Sequence, residues 1–235
     1  MLKHNLRLVS HPFSGAHAMA TITPTKQFEP HHCFLLTDVS WELYQMLGEE
    51  LRDRPIRMTY DRGDLEMMTT SRSHEFFKTL LGRMIEMLCF ELEIPLLSGG
   101  SMTFQRDELE KGFEPDECYW IANQPAVADT LEFDVLNMPP PDLGVEIDIS
   151  RSSVPRQPIF AAFGIPELWR FDGEQLHVLQ LGEDKKYHTA DSSLSFPFLP
   201  VGELSRFLHF ERPIDETKLI RAFVDWIRQQ GFAKP

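Results

Sequence analysis

Residues 72–93 constrain this chain more than any other segment. Phe76, Phe77, Leu80, Leu81, Met84, Ile85 and Leu88 recur at helical spacing and form one wide apolar stripe. Ser71 or Ser73 stands ready as the N-cap. A helix with so broad an apolar face must bury it. A second core-like segment is the strand Leu143–Ile149, where β-branched Val145, Ile147 and Ile149 alternate with Glu146 and Asp148. A helix follows at Ile159–Phe163, stopped by Gly164, so this strand is expected to be central and covered.

Other elements fall around this pair. Thr37-Asp38-Val39-Ser40 supplies caps for a helix near 38–51, with Trp41, Tyr44, Leu47 and Leu51 at helical spacing. Segments 55–60 and 64–69 flank Asp61-Arg62-Gly63, a hairpin signal, and Glu167–Phe171 and Gln175–Leu181 flank Asp172-Gly173. Short strands are expected at 101–104 and 117–121, and helices at 201–210 and 215–230. Mixing strands and helices in this order predicts an α/β (α+β mixed) fold with a mixed central sheet flanked by helices. The domain plan is a loosely ordered arm over residues 1–30, then one domain over 31–235 closed by the C-terminal helix.

Composition excludes several classes. No apolar run reaches the length of a membrane span. The first twenty residues lack a continuous apolar core, so no secretory signal is expected. Cys33, Cys89 and Cys118 have no CxxC spacing and read as reduced thiols in a cytoplasm, with no zinc site. His31-His32 beside Cys33 has no partner at metal-ligand spacing. The net charge of −13 argues against a passive nucleic-acid binder, but not against an enzyme whose acids are neutralised by metal. No P-loop, GxGxxG or GxSxG is present.

The acids form a pattern. Glu146 and Asp148 lie two apart and share a strand face. Asp116 opens the strand 117–121, which reaches Glu146 if the two strands pair at about 4.8 Å. Glu75 sits in the first turn of the long helix. Carboxylates brought so close repel unless a cation or proton intervenes, and hard ions such as Mg²⁺ or Mn²⁺ take such oxygens. The bland alternative makes Asp116 a turn residue, and Glu146 and Asp148 the solvent face of an edge strand. His74 reads first as a structural residue at the helix start. Phe160, Phe163 and Trp169 read as core, Trp120 as packed on the long helix, and Asp129–Asp134 as a surface loop.

Pro115-Asp116, Gly144-Val145-Glu146-Ile147 and Phe163–Gly173 (FGIPELWRFDG), with Tyr60–Met68 and Ser73-His74-Glu75, resemble the Uma-two type of restriction endonuclease-like proteins over roughly residues 36–210. That resemblance implies the PD-(D/E)xK nuclease fold, a divalent-metal site and DNA as substrate. Carried across, Asp116, Glu146 and the Ile147 carbonyl would hold the ion, and Glu75 would assist. The superfamily pattern has Lys where this chain has Asp148. The basic role then passes to Arg156 on the following helix or to Lys78. Arg stabilises charge but stays protonated, so it is no general base. Asp148 would add a carboxylate to the ion or pair with Arg156. Three readings follow: a nuclease, with a homodimer as its natural state for cutting two strands; a binding or assembly module on the same fold; and a hydrolase of small phosphoesters.

Overall fold

The chain is described by a computed structural model over residues 32–149 and 152–232. The expected N-terminal arm, His31 and Ser150 lie outside these residues. Local chemistry sets the first elements. The edge strand β1 (Cys33–Leu36) precedes α1 (Trp41–Glu50), whose N-cap is Ser40, its Oγ accepting from the Leu43 N–H at 3.2 Å. Strands β2 (Arg57–Asp61) and β3 (Asp64–Met68) close over a two-residue turn in which Arg62 (φ 47°) and Gly63 (φ 105°) both take positive φ. That backbone matches the right-handed twist of the strands it joins.

Ser71, not Ser73, caps α2 (Arg72–Leu92), accepting from the His74 N–H. Short strands follow: β4 (Leu97–Ser98), β5 (Phe104–Arg106), β6 (Lys111–Phe113) and β7 (Glu117–Trp120). A single turn, α3 (Gln124–Val127), leads through a mostly exposed loop to β8 (Leu143–Ile147) and α4 (Gln157–Ala162). Then come β9 (Glu167–Phe171), β10 (Leu176–Leu181), β11 (Tyr187–Ala190), α5 (Ser205–Leu208) and α6 (Glu216–Gln230). The strand expected over 101–104 is therefore displaced to Phe104–Arg106. The helix expected over 201–210 is a 3₁₀ turn at Val201–Leu204 followed by α5.

The strands form two sheets where the sequence reading foresaw one. The first is antiparallel, in the order β1-β3-β2-β6-β5. The second is mixed, in the order β11-β10-β9-β8-β7-β4, with only β8 and β9 parallel among its pairs. β8 is interior, and helices cover both its faces. Leu143, Val145 and Ile147 join the core built on α2 (Leu81, Met84, Ile85) and α6 (Phe223, Ile227). Residues 144 and 146 point the other way, toward the core of Ile159, Phe160 and Leu168 under α4.

The same alternation corrects one expectation. On β7 it is Tyr119 that packs in the α2 core, while Trp120 lies on the opposite face, its Nε1 donating to the Pro139 carbonyl and its ring 5.1 Å from Phe133. Among the described residues no helix is long and apolar enough to cross a membrane.

Candidate metal-dependent active site

Strand register builds the site. β7 and β8 pair antiparallel with Glu117 opposite Val145, so one further step sets Asp116 opposite Glu146. Asp116 is held there by its neighbours on β8. Its N–H donates to the Val145 carbonyl at 3.2 Å, and its Oδ2 accepts the Ile147 N–H at 2.6 Å. Its Oδ1 meets the Arg57 guanidinium from β2 and lies 3.2 Å from His74 Nε2 at the start of α2. Asp116 is only 1% exposed. Burial alone would raise its carboxyl, but His74, Arg57 and Arg156 outweigh it and hold the group below the usual carboxylate range.

Glu146 has the reverse balance. It is buried, and one oxygen, Oε2, lies 3.1 Å from Arg156 Nε. Arg156 also donates to the Glu114 carbonyl, which fixes the guanidinium between two segments. The other oxygen, Oε1, is buried with no hydrogen-bond partner among the described residues. Burial and the nearby Asp116 charge outweigh Arg156 and push this carboxyl well above the usual range. For His74, burial alone would lower the imidazole, but the adjoining Asp116 and Glu75 carboxylates raise it to about 9.

The remaining sequence candidates are placed less centrally. Glu75 is half-exposed, 3.5 Å from His74 Nδ1 and 3.8 Å from Arg57, and reaches the site through those two cations. The His74 contact, with Lys78 and Arg57 helping, lowers it to about 2. Lys78 lies between Glu75 (4.0 Å) and Glu117 (3.8 Å). Asp148 pairs with Arg170 on β9 at 3.3 Å and not with Arg156, because parallel pairing sets Arg170 opposite Glu146 on the neighbouring strand. A cavity of about 580 Å³ is lined by His74, Glu146, Asp148, Arg156 and Arg170 among others.

Four residues of this neighbourhood escaped the sequence reading or were given a lesser place in it. Arg57 carries no local signal, since only the fold brings the hairpin over β8. Arg170 sits inside a hydrophobic strand with no local signal, and the helix-start position of His74 suggests only a structural role. The fourth, Glu66 on β3, is 1% exposed and organises the loop that carries Arg156. Its Oε1 accepts from Ser152 Oγ at 2.8 Å, and its Oε2 accepts from the N–H groups of Ser153 and Val154 and from Cys33 Sγ.

Do these residues suit a divalent ion? The donors are hard oxygens, and a buried, unpartnered Glu146 Oε1 beside Asp116 calls for a cation or a proton. Among the described residues no group of three or more His, Cys, Asp and Glu side chains is arranged to hold a metal. A two-carboxylate site is what Mg²⁺ accepts, because that ion keeps several waters of its own. The donor chemistry, two buried carboxylates on neighbouring strands, therefore suits a hard ion, with Asp116 and Glu146 as the side chains that would hold it.

No curated protein matches the chain. Residues 41–207 match the family model Uma2, described as "Putative restriction endonuclease". That span takes in β2, β8, β9 and both ends of α2, so it includes every residue of the site. With most of its length inside the match, and the two interior strands and acid pair in place, the chain belongs to the Uma2 family of the restriction endonuclease-like, PD-(D/E)xK, superfamily.

Proposed function

We propose that the chain is a divalent-metal-dependent nuclease that hydrolyses DNA phosphodiester bonds. The observation that carries this reading is the opposed buried pair Asp116 and Glu146, with Glu146 Oε1 unpartnered. Asp116, Glu146 and the Ile147 carbonyl would hold the ion, which in this family would be Mg²⁺ or Mn²⁺. When bound, such an ion neutralises phosphate charge and activates water. The chain's own groups do the rest. Asp116, ionised and fixed by Ile147 N–H and Arg57, presents a set carboxylate. Arg156 and Arg170 line the same cavity as Glu146 and are placed to meet phosphate oxygens. Neither gives up its proton, so both act on charge and position. Asp148 stands where the superfamily carries Lys, and its contribution is to hold Arg170. His74, raised to about 9, stays protonated at neutral pH and keeps Asp116 ionised.

A second reading is a DNA-binding or assembly module on the same fold. Asp148 in the Lys position favours it, as does the commitment of both Asp116 oxygens to Arg57, His74 and Ile147 N–H. Incubation with plasmid, linear duplex and single-stranded DNA in Mg²⁺ or Mn²⁺, beside Glu146→Ala and an EDTA control, separates the two. The nuclease reading expects at least one substrate to be cut, with a loss of about 100-fold or more in the variant. If the wild type cuts nothing, or Glu146→Ala cuts as well, the second reading stands.

A further inference from the structure

Across the first turn of α2 from the Glu146 cavity lies a larger cleft of about 1020 Å³, bounded by Arg72, Phe76 and Phe77 on one side and Phe210, Arg212 and Lys218 on the other. Phe76 and Phe210 are half-buried, their rings edge to face with centroids 5.1 Å apart. The acids on the rim are already engaged. Asp215 caps α6, accepting from the Lys218 N–H, and pairs with Lys218 Nζ at 3.5 Å. Glu216 pairs with Arg83. Arg72 and Arg212 have no ion-pair partner among the described residues, and both are exposed. Among the described residues, a chain of net charge −13 thus places two guanidiniums without ion-pair partners beside two half-buried rings.

The position matters as much as the charge. Arg72, Ser73 and Phe76 line the cleft, while His74 and Glu75 of the same turn belong to the candidate active site. Phe77 at the cleft wall has its ring 4.8 Å from Phe171, the neighbour of Arg170. One helical turn separates the two cavities.

We propose that this cleft binds single-stranded nucleic acid and leads it across α2 toward Asp116 and Glu146. Arg72 and Arg212 neutralise phosphates, and Phe76 and Phe210 receive an unstacked base. The bases of a duplex are already stacked on one another and do not reach rings recessed in a cleft, so the cleft selects unpaired strand. The direction of travel rests on the nuclease reading; the binding does not.

Fluorescence anisotropy tests it, with a labelled single-stranded DNA of about 16 nucleotides and the matching duplex. EDTA is present so that nothing is cut. The wild type is expected to prefer the single strand. Arg72→Ala/Arg212→Ala should bind it about tenfold or more weakly, and the slope of log K against log salt should flatten by about 1.4 for two lost phosphate contacts. Phe210→Leu, which keeps an apolar side chain at that position, should bind about fivefold or more weakly, and thermal melts confirm that both variants fold. The proposal is overturned by a wild type that binds no single strand or prefers duplex, or by unchanged affinity and slope in the arginine variant. A parallel Mg²⁺ cleavage assay keeps the two ideas apart. Binding through the arginines without cleavage sinks the nuclease reading alone. Cleavage with the same KM in wild type and arginine variant sinks the cleft alone.

Discussion

A buried carboxylate costs free energy unless donors meet it, and Glu66 is met by four: Ser152 Oγ, the N–H groups of Ser153 and Val154, and Cys33 Sγ. These donors belong to β1 and to the loop running from β8 to α4, so one side chain on the first sheet fixes the entry of Arg156 into the second. Glu66→Gln keeps the size but turns an NH₂ group toward donors at one of the two oxygen positions. A loss of about 1–3 kcal/mol is expected in urea unfolding; an unchanged midpoint would show that the loop holds itself. At this scale legibility divides cleanly. Asp116 and Glu146 were readable because Pro115-Asp116 and Gly144-Val145-Glu146 are local patterns. Arg57, Glu66 and Arg170 were not, because each acts on a residue from a different segment of the chain. Asp148 was recognised as the departure from the family pattern, but its partner Arg170 follows from parallel pairing and not from any spacing.

On the scale of elements, β8 explains its own glycine. A Cβ on Gly144 would lie 2.9 Å from Cε1 of Phe160 and 3.4 Å from Leu168 Cδ1. The α4 ring sits on the strand surface, and Phe160 is fully buried among Phe113 and its neighbours, so it has little room to retreat. Gly144→Val should cost about 3 kcal/mol by overpacking. Gly202→Ala, where nothing lies within 4 Å, should leave stability within about 0.5 kcal/mol. Thermal melts of the two decide it: equal midpoints would mean that α4 yields freely. The helices α1, α2, α4 and α6 were legible from periodicity and caps, and so were both hairpins, from Arg62-Gly63 and Asp172-Gly173. Strands β1, β6 and β11 were not. They are three or four residues long, with no apolar alternation distinct from a loop, and they exist because a neighbouring strand offers hydrogen bonds.

The whole molecule carries acids at its turns and caps as well as in its site. Asp61 is partly buried, and Lys111 and Arg62 outweigh that burial to hold it below its ordinary value. Asp172, beside His177 and two turn N–H groups, and Asp215, the cap of α6, are also lowered. A carboxylate whose folded value is depressed contributes stability that is fully present above its unfolded value, about 4, and is lost as pH falls through the folded one. The urea midpoint should therefore decline below about pH 4. Asp61→Asn should be less stable than wild type at pH 7, and the gap should narrow as pH falls toward 2, because wild type then loses the same charge. A gap that stays constant with pH would remove Asp61 from the account. The sequence alone determined the helices α1, α2, α4 and α6 and the interior strand β8, and it marked Asp116 and Glu146 as the candidate acids, because caps, turns and periodicity act between residues a few positions apart. Only the tertiary structure decided that there are two sheets and not one, that Trp120 turns away from α2, and that Arg57, His74 and Arg156 gather round the two acids. Those outcomes depend on strand register and on buried charges finding partners, and both are settled between segments distant in the chain.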